Sequence, residues 1–317
     1  MMEKRYVAYG LELRSSFGLP GMVPADAECL PSLTLDLVTP SQLGDMWSGA
    51  AGPPAWRGRL GDGTDLAIEH GRAGDLLFRH GDVACHRLDV GRCSLVCAPR
   101  EPGLDWQRVL LAKVLSSISV MRGYEALHAS GVESPWGIVA IAAATGTGKT
   151  TLALELMSRG WPLVSDDVLA LAGTPDGVLA FPGTPHMNVS ASASDPTADC
   201  LGPTLAVLAG ERWVATRDAV SDPRRVHVIC MLARRRGLAL DVQFLPRNPL
   251  ALAPFMLGLT GDAERERSKF ELYADLMGGA ELMRLTCGLG TSAAQVADLL
   301  EQACVEGADT LAVGGAW

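Results

Sequence analysis

The sequence predicts an α/β protein in which a P-loop nucleotide-binding core follows a β-rich N-terminal module. Three observations carry that reading. The stretch Ala143-Ala144-Thr145-Gly146-Thr147-Gly148-Lys149-Thr150 is a glycine-rich loop set between an apolar run and a helical pattern. From His128 onward the order is strand, loop, helix, strand: Ile138 to Ala142, Thr145 to Gly148, Thr150 to Arg159, then Pro162 to Val164, the signature of a βαβ unit. Before Pro102, short alternating segments are punctuated by glycine, as in a meander or small sandwich.

The N-terminal elements come first. Tyr6 to Leu13 alternates apolar and polar positions and predicts one strand, and Asp65 to Cys97 holds four short strands parted by Gly71, Gly74, Gly81 and Gly91. The Pro- and Gly-containing stretch from Gly49 to Gly63 predicts a loop. Character changes near Pro102, where Asp105 is placed to cap a helix through Leu110, Leu111, Val114, Leu115 and Ile118 to about Arg122. The domain boundary is expected there, giving residues 1–101 and 102–317. Gly160 is a natural C-cap for the helix after the loop.

Beyond Asp167 the pattern predicts a hairpin, Val168 to Leu171 with Val178 to Phe181, turning at Thr174-Pro175-Asp176-Gly177. A second strand pair, Val226 to Leu232 and Ala239 to Leu245, flanks Arg234-Arg235-Arg236. The remainder reads as helical: Leu250 to Leu257, Ala263 to Met277 and Thr291 to Ala303. No internal repeat and no low-complexity tract is visible.

Composition narrows the function. The chain has 317 residues, 48% hydrophobic and 20% charged, values of a globular protein large enough for two domains. Its net charge of −9 argues against a nucleic-acid surface; the basic patches at Arg224-Arg225 and Arg234-Arg235-Arg236 read as solvated turns or hairpin ends. The longest apolar run, Gly137 to Ala144, is far short of the roughly 20 residues a bilayer needs. The first residues lack a secretion signal, so the expected compartment is the cytoplasm and no membrane partner is expected. Eight cysteines at irregular spacing read as core residues in a reducing compartment. Cys85, His86, Cys93 and Cys97 could supply zinc ligands, but no paired CxxC spacing is present, and metal-free thiols are expected.

The chemistry concentrates in two places. In the loop, glycines let backbone N–H groups fold around phosphate oxygens, the helix N-terminus adds positive potential, and Lys149 neutralises the β and γ phosphates of ATP. Thr145, Gly146, Thr147, Gly148, Lys149, Thr150 and Thr151 form the expected nucleotide site, with Thr150 offering its hydroxyl to Mg²⁺. Ala143 stands where the GxxxxGK[ST] pattern has glycine, which is tolerable if its φ is negative. The second place is Asp166-Asp167, at the end of a strand expected beside the loop strand, where ligands bind in open α/β sheets. Adjacent side chains diverge, so the pair can split labour, one toward Mg²⁺ and one toward the acceptor's hydroxyl; Asp166 is then assigned to the metal and Asp167 to the hydroxyl proton.

The stretch from His128 to Asp167 resembles the catalytic core of HPr kinase/phosphorylase: a histidine before the strand, Gly146-Thr147-Gly148-Lys149-Thr150, Leu152-Ala153-Leu154-Glu155-Leu156, Arg159-Gly160 and Asp166-Asp167. The Pro-Gly-Arg-Asn loop of the bifunctional enzyme is not found, Pro246-Arg247-Asn248-Pro249 being a distant echo. Nor is its metal-site glutamate found near Phe181 to Pro185. The whole length looks more like shorter HPr kinase-related proteins of bacterial gene clusters, on Tyr6-Val7-Ala8-Tyr9-Gly10-Leu11, on Leu127-His128-Ala129-Ser130 and on Pro182-Gly183-Thr184-Pro185. That resemblance implies a core of the HPr kinase C-terminal-domain type and transfer of the γ-phosphoryl group of ATP to a serine-type hydroxyl. The acceptor it implies is a peptide, such as a lasso precursor, or a small molecule. It also brings His128 into the catalytic set with Lys149 and Asp167. The bifunctional relatives form hexamers, so a homo-oligomer is an open expectation.

Overall fold

The computed structural model describes residues 3–25, 30–59, 63, 65–175, 177–190, 200–208, 210–257 and 263–314. The N-terminal part contains β1 (Lys4–Ala8), β2 (Leu11–Ser15), β3 (Ser32–Leu37), α1 (Pro40–Met46), β4 (Trp56–Arg59), β5 (Asp65–His70), β6 (Leu76–His80), β7 (Ala84–Asp89) and β8 (Ser94–Pro99). Among the described residues these form one sheet in the order β1-β2-β3-β8-β7-β6-β5-β4. The four strands expected between Asp65 and Cys97 are present as an antiparallel meander.

Two expectations fail here. Tyr6 to Leu13 is a hairpin, because Tyr9 and Gly10 both take positive φ (54° and 74°) and reverse the chain between β1 and β2. Alternation continues through such a two-residue turn, so periodicity alone does not reveal it. Inside the expected loop, Trp56–Arg59 pairs with β5 as an edge strand; the part of that loop at residues 60–62 lies outside the described residues.

Gly10 is needed for two reasons. Its φ suits glycine, and a Cβ there would fall 2.3 Å from the Tyr124 ring, whose hydroxyl donates to the Gly10 carbonyl at 2.8 Å. Gly10→Ala is expected to cost about 2–5 kcal/mol through combined strain and overpacking. Urea midpoints would check this, and an unchanged midpoint would show that Tyr124 moves aside freely.

A helix then crosses from the sheet to the rest of the chain: α2 (Asp105–Val109), a π-helical turn (Leu110–Val114) and α3 (Leu115–Met121). Asp105 does not cap it. The N-cap position is Leu104, without a side-chain cap bond, and Asp105 sits in the first turn, where its charge still complements the helix dipole. Trp106, Leu110, Leu111, Val114 and Ile118 pack on the inward strand residues and on Val168, Ala170 and Phe181, so one core spans both parts of the chain.

The second part contains β9 (Glu125–Leu127), β10 (Ala129–Ser134), β11 (Gly137–Ala142), α4 (Lys149–Ser158), β12 (Leu163–Ser165), β13 (Leu169–Thr174), β14 (Gly177–Phe181), β15 (His186–Ser190), β16 (Leu201–Leu208), β17 (Glu211–Thr216), β18 (Arg224–Arg234), β19 (Asp241–Phe244), a 3-10 turn (Pro249–Phe255), β20 (Met256–Leu257), α5 (Ala263–Gly279), β21 (Glu281–Cys287) and α6 (Ala293–Gly314). The main sheet runs β12-β10-β11-β18-β14-β13-β9-β20, with β21 beside β18 and β19 beside β21. β15, β17 and β16 form a small separate sheet. The protein is thus a mixed α/β structure with large sheets. α4 and α6 pack on one face of the main sheet and α5 on the other.

The β13–β14 hairpin forms as expected, with Asp176 of its turn outside the described residues. The β18–β19 pair does not. β21 lies between them, parallel to β18 and antiparallel to β19. Leu250 to Leu257 is a 3-10 turn and a short strand, where Pro249 and Pro254 remove backbone donors that a longer helix needs. The βαβ unit is also wider than expected: β12 is not beside β11, because β10 runs antiparallel between them.

Two buried histidines set the acid behaviour. His86 is fully buried, with neither ring nitrogen hydrogen-bonded among the described residues, and desolvation, with some help from His80, pushes its pKa down to about 3. Desolvation pushes His186 down to about 4. Each is neutral when folded and takes up a proton near pH 6.5 when unfolded, so stability is lost as pH falls below that value. Asp166 acts oppositely: desolvation, with Asp167 adding, raises it from 3.8 to about 6, so the folded state gains one proton over the same range. The net excess of about one proton in the unfolded chain corresponds to about 3 kcal/mol lost between pH 6 and pH 4. His128 and His227, also lowered by burial, add in the same direction. A urea midpoint that stays flat from pH 7 to pH 4 would contradict this.

Candidate functional site

The site is built at the C-terminal end of β11. Residues Ala143 to Gly148 leave the strand and turn into α4, with Gly146 and Gly148 at φ 78° and 107°. Among the described residues a Cβ at Gly146 would meet nothing within 4 Å, so glycine is used there for its conformation; within the loop the Thr147 N–H donates to the Ala144 carbonyl at 3.2 Å. Ala143 is buried and is not among the positive-φ residues, so its methyl is accommodated. α4 stops where Gly160 takes φ 91° after Arg159. Arg159 reaches Glu155 at 3.0 Å, and Asp298 and Glu301 on α6 at 2.7 and 2.9 Å, which fixes α4 against α6.

Lys149 opens α4 and is buried, folded back over its own loop. Its Nζ donates to the Ala143 carbonyl at 3.0 Å and lies 3.1 Å from His128 Nε2. An ammonium can only donate, so Nε2 is the acceptor and His128 Nδ1 carries the proton. Nδ1 lies 3.0 Å from the Asp167 carbonyl and 3.2 Å from its Oδ1. Burial holds both Lys149 and His128 below their ordinary pKa ranges, with Asp167 opposing the shift in each case.

The two aspartates do diverge. Asp166 Oδ1 accepts from Ser130 at 2.8 Å and from the Thr150 hydroxyl at 3.3 Å, while Oδ2 accepts from the Asn188 N–H at 3.3 Å. The interposed strand β10 is what brings Ser130 there, since Gly131 pairs with Ser165 immediately before Asp166. Asp167 points the other way and is the centre of a γ-turn, with φ 72° and Val168 N–H bonded to Asp166 O at 2.9 Å. That conformation is rare and strained for a residue other than glycine. Its carboxylate pairs with Lys113 and His128. Burial opposes its ionisation, but the Lys113 ion pair, with His128 and Lys149 adding, outweighs burial and holds Asp167 below the usual carboxylate range.

A cavity of about 710 Å³ opens in front of these groups. Its lining includes Thr145, Gly146, Gly148, Lys149, Thr150 and Thr151 of the loop and helix start, and His128, Asp166 and Asp167; Thr147 is not in its wall. Trp56, Leu66 and Ile68 from the N-terminal sheet, and Arg108, Lys113 and Ser116 from the crossing helix, line it too. So do Asn188 and Arg212. Lys113 and Asn188 were not singled out by the sequence, and Ser130 entered only as the end of the Leu127-His128-Ala129-Ser130 motif, with no role at the site.

Among the described residues no three His, Cys, Asp or Glu side chains cluster as a metal site. His86 and Cys97 face one another across β7 and β8 in the core, whereas Cys85 lies on the other face and Cys93 in the turn before β8. Mg²⁺ needs less than such a cluster, commonly one or two carboxylates plus phosphate oxygens. Thr150 and Asp166 fit it: two hard oxygen donors 3.3 Å apart, one a carboxylate whose ionisation is opposed by desolvation and would be favoured by a cation. Among the described residues no helix is long and apolar enough to cross a membrane.

No family model and no curated protein matches this chain. Among solved structures it is similar to the HPr(Ser) kinase/phosphatase from Coxiella burnetii, at 18% identity and a TM-score of 0.31, over 57% of this chain and 97% of that one. That is a distant likeness, too slight to carry a functional argument.

Proposed function

We propose that this chain is an ATP- and Mg²⁺-dependent phosphotransferase acting on a serine-type hydroxyl, with a peptide or protein favoured as acceptor. The observation that supports it most is convergence: the glycine loop with Lys149, the Thr150–Asp166 pair and the Asp167 carboxylate all face one cavity. Residues 1–101 as a module and 102–317 as the kinase domain belong to the same proposal. So does a homo-oligomer.

The loop N–H groups and Lys149 would bind the triphosphate, and Thr150 with Asp166 would hold Mg²⁺, which neutralises phosphate charge when bound. The acceptor oxygen bonds to the γ phosphorus, the bond to the bridging oxygen breaks, and ADP leaves. The hydroxyl proton passes to Asp167. A carboxylate below its usual range is a weak base, but phosphoryl transfer relies mainly on positioning and electrostatics. His128 links Lys149 to Asp167 and keeps the two in register.

The test is ATP consumption with and without serine-containing peptides and small hydroxyl compounds. Acceptor-dependent turnover with a phosphoester product is the expected result. Turnover indifferent to every acceptor would make the chain an ATPase; nucleotide binding without turnover would make it a regulatory module.

A further inference from the structure

The transfer just described leaves Lys113 without a part, although it reaches the centre of the site. It stands on the π-helical turn Leu110–Val114. A π turn inserts an extra residue, and such insertions concentrate at functional positions. Its ammonium pairs with the Asp167 carboxylate, in the cavity wall and not on open surface. Asp167 holds a backbone conformation, φ 72°, that a residue carrying a Cβ keeps only when its surroundings enforce it. Two groups do so: His128, which engages the Asp167 carbonyl and Oδ1, and Lys113, which engages Oδ2. His128 comes from between β9 and β10, and Lys113 from the helix packed on the N-terminal sheet. The carboxylate is therefore gripped from two separate elements, the crossing helix and the junction of β9 and β10.

We propose that Lys113 is a positioning residue: its ion pair fixes the strained Asp167 turn so that the carboxylate faces the arriving acceptor hydroxyl. This rests on the phosphotransferase reading, but the turn itself is observable without turnover. Lys113→Met removes the charge and keeps much of the length, and Lys113→Arg restores the charge.

In the full chain, Lys113→Met is expected to lower kcat for acceptor-dependent transfer by about 100-fold, the cost of misplacing a reacting group by about 1 Å. KM for ATP should stay within about twofold, since the loop contacts are untouched. Lys113→Arg should recover most of kcat. Hydrogen exchange at the Val168 amide, whose bond to Asp166 O closes the turn, should quicken by at least about tenfold in Lys113→Met and return in Lys113→Arg, while β13 amides stay protected. Unchanged exchange at Val168 overturns the proposal whatever the kinetics. A rise in KM for ATP matching the loss of rate also overturns it, making Lys113 a nucleotide ligand. Quickened exchange in a protein whose wild type transfers to no hydroxyl upholds the positioning role and sinks the phosphotransferase reading instead.

Discussion

Replacing Lys149 with alanine is expected to lower phosphoryl transfer by about two to four orders of magnitude and leave the fold intact, because charge stabilisation of the transferring group falls mainly to such residues. In the sequence Lys149 reads only as the cation that neutralises phosphate. The structure has it buried and folded over the loop, held by the Ala143 carbonyl and His128. Alanine leaves those two acceptors without a donor, at a cost of about 1–3 kcal/mol for each that stays dry. Both border the cavity, where water is at hand, so the stability loss should fall at the low end. Initial rates together with thermal melting separate the two effects. Near-normal turnover in a folded variant would remove the loop from the mechanism.

Splitting the aspartate pair is expected to give two distinct phenotypes. Asp167→Asn removes the proton acceptor and half of the Lys113 ion pair, so transfer should fall by about two to four orders of magnitude while nucleotide binding persists. Asp166→Asn should act on the metal. All three groups around the Asp166 carboxylate donate to it, so an amide must turn its own NH₂ toward at least one donor, leaving a clash where a cation's oxygen ligand was needed. Weaker Mg²⁺ dependence follows, seen as a rightward shift of rate against Mg²⁺ concentration. Equal shifts for both variants, or full activity in Asp167→Asn, would rule out the division of roles.

The glycine loop was legible because its chemistry needs contiguous residues: Gly146, Gly148, Lys149 and Thr150 must neighbour one another to surround a phosphate. Asp166-Asp167 could be read by distance from that loop, although β10 separates the two strands. Lys113 could not. It lies 54 residues from Asp167 in sequence and looks like an ordinary polar position on a helix. β21 was missed for a related reason. Glu281–Cys287 alternates only over Met283 to Cys287, where exposed Arg284 stands between buried neighbours, a run too short to stand out after the long helical pattern before it, and its parallel pairing with β18 is too distant in sequence to leave a local mark. The expected β18–β19 pair followed from nearness along the chain, a tendency that a later strand overrode.

The turn at Tyr9 and Gly10 also bears on how the chain comes to be folded during synthesis. Tyr9 N–H donates to the Pro182 carbonyl at 2.6 Å, and the Tyr9 ring would stand 3.0 Å from a Cβ at Gly183. One of the first elements made is thus completed by one made about 175 residues later. At about 5–20 residues per second that is a wait of roughly 10–35 s, with β1 and β2 already outside the ribosome. Closing so long a loop slows folding and exposes unpaired strand edges meanwhile. The first hairpin should therefore be the last part of the N-terminal sheet to gain protection in pulse-labelled refolding, and chains ending before Pro182 should leave it open to protease.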